Sequence, residues 1–202
     1  MWTPATRPWI ISLALEMTPT FARMVGARAN AMRKPIRWFS MPQLFRYERQ
    51  QKGRLREHFQ LNVDIVGEPD VSADAELIAV AVECMRVFGL GPTDVRARVS
   101  DRRLLHGILA RLGVADTAAP AVFAVIDKLD RQPRDVSREK LLAAEVPADA
   151  ADQLLSLQNI HGVDALRAAF GGHPQVDSTV DGLSRLMDHL RAHGVDDWVD
   201  LD

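Results

Sequence analysis

From Thr18 to about Arg33 the apolar residues Phe21, Val25 and Met32 recur at a rough helical spacing. Thr18-Pro19 offers a capping hydroxyl followed by a residue preorganised for the first helical turn. Pro35 closes that helix, and Ile36-Arg37-Trp38-Phe39 is short, β-branched and aromatic, which predicts a strand. From Leu44 to Gly67 the period is two. Phe45 and Tyr47 alternate with Arg46 and Glu48, and Phe59, Leu61, Val63 and Ile65 alternate with His58, Gln60, Asn62 and Asp64. Two half-buried antiparallel strands follow from this pattern, joined by an open, mobile hairpin loop around Gly53.

Ser72 caps the next expected helix, with Leu77, Ile78, Ala81, Met85 and Phe88 at helical spacing and Gly89 at its end. Val95 to Val99 alternates again and reads as a further strand of the same sheet. Beyond Asp101 the pattern is one of short amphipathic helices, at 104–112, 122–129, 141–144, 154–157 and 166–170, with no strand. Gly171-Gly172-His173-Pro174 is a linker, and 180–190 is a last helix that Gly194 caps. The predicted architecture is α+β. Residues 1–100 form a partial antiparallel sheet with flanking helices, 101–172 a small all-helical domain that reads as an insertion, and 173–202 a helix returning to the first part. Residues 1–9 fit neither period, and no role is assigned to 1–12.

Composition narrows the function classes. The 202 residues are 47% hydrophobic and 26% charged, ordinary values for a folded chain. A net charge of -2 excludes a global basic field for nucleic acid. The apolar run 9–15 is too short to span a membrane. The single cysteine, Cys84, cannot form an intramolecular disulfide; it is expected as a small buried hydrophobe, and a reducing, cytoplasmic setting is expected with it.

Local charge is more informative. Between Arg46 and Glu57 five basic residues (Arg46, Arg49, Lys52, Arg54, Arg56) face two acidic ones (Glu48, Glu57). Guanidinium forks grip phosphate oxygens bidentately, so the segment suits a polyanion, although a solvated hairpin tip would also be charged. The row His58, Gln60, Asn62, Asp64 is rich in amides and acids and reads as a binding floor for a small polar ligand. Each residue has a plainer alternative. Thr18 serves as an N-cap, Glu16 complements a helix dipole, and Gln60 and Asp64 are solvated strand residues. His189 and His193 sit four apart without a third ligand nearby, so no metal site is assigned.

The runs Phe45-Arg46-Tyr47-Glu48-Arg49, Gln51-Lys52-Gly53-Arg54, Arg56 to Asp64, Gly67 and Asp74 to Ile78 resemble motif 2 and its sequel in histidyl-tRNA synthetases. Glu16-Met17-Thr18-Pro19-Thr20 resembles that family's amino-acid-pocket loop, and 122–135 with Ile160-His161-Gly162 resembles its helical insertion domain. The resemblance covers about 13–202 and implies a class II enzyme that activates histidine with ATP and Mg²⁺ and transfers it to tRNA(His), as a homodimer in the intact protein. It implies that Arg46 is catalytic, binding the α-phosphate and the histidine carboxylate, that Glu48 seats adenine, and that Arg54 reaches the outer phosphates. Glu16, Met17, Thr18, Gln60 and Asp64 would complete the histidine pocket. The sequence departs from the family in four absences: motif 1, the Arg-Gly-Leu-x-Tyr-Tyr segment, motif 3 and an anticodon-binding domain. Ala14-Leu15 also stands where the family has Arg-Pro. These departures lead us to expect an incomplete active site, that is, a fragment. Two rivals remain: a non-catalytic regulatory paralogue of histidine biosynthesis, which tends to lose the ATP-gripping residues, and a module whose basic hairpin only contacts RNA.

Overall fold

A computed structural model describes residues 16–47, 49, 51–53 and 55–201, Asp130 by its backbone alone. The chain divides into two compact units, 1–69 and 70–202. The second therefore includes 70–100, which the sequence reading placed with the sheet.

In the first unit, helix α1 spans Thr18–Arg28 and buries Phe21 and Val25. Thr18 is not its cap. The capping position is Met17, whose side chain makes no cap bond, and it is the preceding carboxylate, Glu16 Oε1, that accepts from the Met17 N–H at 2.9 Å. The helix also ends earlier than Arg33, because the Ala31 N–H turns back to the Arg28 carbonyl and frees the chain to enter the first strand.

Four strands follow: β1 (Ile36–Ser40), β2 (Gln43–Phe45), β3 (Glu57–Phe59) and β4 (Asn62–Val66). β1 pairs with β4 from Ile36↔Val66 to Ser40↔Asn62, and β2 with β3 from Gln43↔Phe59 to Phe45↔Glu57, both antiparallel. The two ladders keep one register, so together they form a single long ribbon. Its interruption has a clear cause. Pro42 stands opposite Gln60; the Gln60 N–H donates to the Pro42 carbonyl at 3.2 Å, but Pro42 has no N–H to return the bond. The expected burial of the alternating apolar row is reversed at Tyr47, Phe59 and Leu61, while Phe45, Val63 and Ile65 are half-buried. Tyr47 is 90% exposed and Phe59 71%, while His58, Gln60, Asn62 and Asp64 are half-buried. The reason is that α1 packs on the polar row's face, where Phe21 meets Trp38 edge-on with ring centroids 5.3 Å apart and Phe21, Val25 and Ile36 form a small core.

The second unit begins with α2 (Val71–Val87). Its cap is Asp70 rather than Ser72: the Asp70 carboxylate accepts from the Ser72 N–H at 3.3 Å. Cys84 is half-buried rather than fully buried. β5 (Ala97–Val99) does not join the ribbon. It pairs in parallel with β6 (Val199–Leu201), a strand the sequence reading missed, and Arg96 Nε anchors the pair by donating to Asp200 Oδ2 at 2.9 Å. Between them lie α3 (Arg102–Arg111), α4 (Ala119–Ile126), α5 (Arg134–Ala143), α6 (Ala148–Ser156), α7 (Val163–Phe170) and α8 (Pro174–Ala192). One hydrophobic core runs through the unit, from Ala75, Ala79 and Val82 of α2 to Leu183, Leu186 and Leu190 of α8, with Leu141, Leu154 and Phe170 of the helical stretch.

α3 shows how sequence sets a helix start. Asp101 accepts from the Arg103 N–H at 2.8 Å, and the Arg103 guanidinium closes on the same carboxylate at 2.6 Å. Asp101→Ala is expected to cost about 1 kcal/mol of stability in urea denaturation. The side chain of Arg103, and then its backbone N–H, hold the Asp101 carboxyl below the usual carboxylate range, against the upward push of burial. A lowered folded-state pKa means that the contribution is fully present above the unfolded value of about 4 and fades as pH falls through the lower folded value. The difference between wild type and variant should accordingly shrink on acidification.

Candidate functional site

Parity along the ribbon decides which side chains meet. Residues opposed across an antiparallel pair share a face, and every second residue returns to it. One face thus carries Ile36, Trp38, Ser40, Pro42, Leu44 and Arg46, and opposite them Val66, Asp64, Asn62, Gln60, His58 and Arg56. Glu16, directly ahead of α1, is delivered to this face.

The result is a closed ring of charge and amide. Arg46 Nη2 donates to Glu16 Oε2 at 2.9 Å and to Gln60 Oε1 at 3.2 Å. Gln60 Nε2 donates to Glu16 Oε1 at 3.4 Å and to Asn62 Oδ1 at 3.1 Å. Thr18 Oγ1 adds a long bond of 3.5 Å to Glu16 Oε1. The Glu16 and Arg46 side chains are each 38% exposed, sheltered enough to be ordered and open enough to take a ligand. The backbone N–H of Met17, with that of Thr18, the Arg46 charge and the Asn62 side chain, holds the Glu16 carboxyl below its usual range, against burial. Glu16 is therefore an anion at neutral pH. A fixed carboxylate beside a guanidinium fork suits a ligand that carries a cation and an anion close together, as an α-amino acid does.

The structure thus brings together Glu16, Thr18, Arg46 and Gln60, with Met17 contributing its backbone N–H. Asp64 lies on the same face, opposite Trp38, and is not hydrogen-bonded into the ring among the described residues. Glu48 and Arg54 lie outside the described residues. Of the hairpin's other cations, Arg56 stacks its guanidinium 4.6 Å from the centre of the Tyr47 ring. Asn62 was legible only as one of the polar row; the signal for its place in the ring was its parity with Gln60. The described residues contain no group of three or more His, Cys, Asp or Glu side chains able to hold a metal ion, and His189 Nε2 stands 3.7 Å from the Asp70 carboxylate. No described helix is long and apolar enough to cross a membrane.

A sequence profile described as "Histidyl-tRNA synthetase" matches residues 9–202. The chain is 38% identical over 191 residues to a histidine–tRNA ligase of Halobacterium salinarum, covering 95% of this chain and 44% of that protein. It is 36% identical over 198 residues to that of Opitutus terrae, with 95% and 45% covered, and 33% identical over 192 residues to the chloroplastic/mitochondrial protein of Arabidopsis thaliana, with 95% and 39% covered. It therefore spans less than half the length of these curated relatives. Among solved structures, a histidyl-tRNA synthetase from Nostoc sp. PCC 7120 matches with a TM-score of 0.79 at 20% identity, covering 94% of this chain and 44% of that one. A Bacillus halodurans C protein described as an ATP phosphoribosyltransferase regulatory subunit/histidyl-tRNA synthetase matches with a TM-score of 0.74 at 20% identity, covering 94% and 48%. At that identity the two likenesses speak for the fold, a combination of helices and small sheets in keeping with α+β.

Proposed function

Because the chain belongs to the histidyl-tRNA synthetase family, we propose that its first unit grips histidine and ATP on behalf of a histidine–tRNA ligase, a class II aminoacyl-tRNA synthetase. The observation that carries the reading is the Glu16–Arg46–Gln60 ring, which sets an acceptor for an ammonium beside a donor fork for carboxylate and phosphate oxygens.

In this reading Glu16 and Thr18 hold the α-amino group of histidine, Met17 belongs to the same histidine-binding loop, and Gln60 and Asp64 complete the pocket around the substrate. Arg46 bridges its carboxylate and the α-phosphate of ATP, Glu48 seats adenine and Arg54 takes the outer phosphates. The carboxylate attacks the α-phosphorus and pyrophosphate leaves with the electrons of the broken P–O bond, giving histidyl adenylate. A terminal ribose hydroxyl of tRNA(His) then takes the histidyl group and AMP departs. The step needs positioning and charge neutralisation rather than a covalent enzyme intermediate. Mg²⁺ enters this reading as the counter-ion of the ATP phosphates. We assign 101–172 as a helical insertion, and a homodimeric, cytoplasmic intact protein, on the same basis.

The test is calorimetric titration of the folded chain with histidine and with ATP, alongside histidine-dependent ATP–pyrophosphate exchange. Saturable histidine binding that Glu16→Gln weakens roughly tenfold or more is expected, one charge-assisted bond being lost. A folded chain that binds neither ligand, but binds RNA with a steep salt dependence, would make the basic hairpin an RNA contact and sink the reading.

A further inference from the structure

We propose that Asn62 is a positioning residue that turns the Gln60 side chain into a pure hydrogen-bond acceptor toward the bound amino acid, so that the pocket takes a donor there and disfavours an acceptor. The inference rests on the histidine-pocket reading of the ring and adds to it a residue which that reading does not use.

An amide has two N–H donors and a carbonyl with two lone pairs. At Gln60 both donors have partners: Nε2 faces Glu16 Oε1 at 3.4 Å and Asn62 Oδ1 at 3.1 Å. The carbonyl accepts from Arg46 at 3.2 Å, which among the described residues leaves one lone pair over. Arg46 and Glu16 fix which way the amide points, since the flipped amide would set N–H against guanidinium and carbonyl against carboxylate. They do not consume the second N–H. Asn62 does, from the position two residues along the same face. What Gln60 then shows a ligand is a carbonyl beside an anionic carboxylate, which suits an ammonium. Without Asn62 the freed N–H would welcome a carboxylate or hydroxyl oxygen, and the two ends of an amino acid would be less well told apart.

The experiment has a ligand-free arm and a binding arm on the same chain. In the first, the Gln60 side-chain NH₂ resonances are followed by ¹⁵N NMR. The wild type should show both protons in hydrogen bonds, Asn62→Ala should release one, and Asn62→Asp, which keeps an acceptor oxygen, should restore it. In the second, dissociation constants are compared for histidinol, which keeps the ammonium, and imidazole propionate, which keeps only the carboxylate. Wild type should favour histidinol, and Asn62→Ala should narrow that preference roughly fivefold, the weight of one neutral hydrogen bond. A free Gln60 proton in the wild type, or a preference unchanged in Asn62→Ala, overturns the proposal. If folded wild type binds neither compound, the histidine-pocket reading falls, and the proposed pocket role of Asn62 falls with it. Intact Gln60 resonances in that case would show that the pocket reading failed, not the hydrogen bond.

Discussion

Arg46→Ala is expected to weaken ATP binding roughly 10- to 100-fold, the loss of one strong or two modest charge-assisted bonds, and to leave no histidine-dependent pyrophosphate exchange. The side chain sits at the junction of the proposed amino-acid and nucleotide sites, with its guanidinium on Glu16 at 2.9 Å and on Gln60 at 3.2 Å. Truncation removes the only one of the three ring side chains that can neutralise a phosphate. Arg46→Lys should recover little of the loss, because an ammonium lacks the planar fork that spans two oxygens. The fold should tolerate both changes, since an ion pair this exposed contributes little to stability. A melting temperature close to wild type would therefore show that lost binding is not lost structure. Wild-type ATP affinity in folded Arg46→Ala would remove Arg46 from the nucleotide site.

Much of this geometry was legible in the sequence because a strand has a period of two. Once Gln60 and Asn62 are on one face, Asp64 and His58 are too, and the hairpin register carries Arg46 to the same side. What sequence could not show is which face would be sheltered. The apolar row of Tyr47, Phe59 and Leu61 reads as the inner one, yet α1 covers the polar row, and only the pairing of Phe21 with Trp38 reveals that choice. The capping errors share one origin. At both helix starts a carboxylate one or two residues upstream, Glu16 or Asp70, outcompetes the hydroxyl of Thr18 or Ser72, because an ionised oxygen is the stronger acceptor for the free N–H groups. β6 escaped notice because three residues are too few to show a period, and its partner β5 lies about a hundred residues away in sequence, beyond any local pattern.

Leu190→Ala should lower the stability of the second unit by about 2–5 kcal/mol. Leu190 is fully buried near the end of α8, in the cluster that holds Val82 of α2 together with Val195 and Trp198. Truncation leaves a cavity in a close-packed core, whose neighbours on α2 and in the stretch leading into β6 cannot all move in to fill it. Leu142→Ala, at a 39% exposed position on α5, should cost far less and serves as the matched control. Urea denaturation would show the effect as a lower midpoint at unchanged slope. None of the residues in this core belongs to the ribbon, whose own small core is Phe21, Val25 and Ile36. Histidine affinity measured well below the transition should then match wild type. A stability loss no larger than that of Leu142→Ala would mean that α8 does not pack as the structure has it, and a parallel loss of histidine affinity would mean that the ribbon depends on the helical core for its shape.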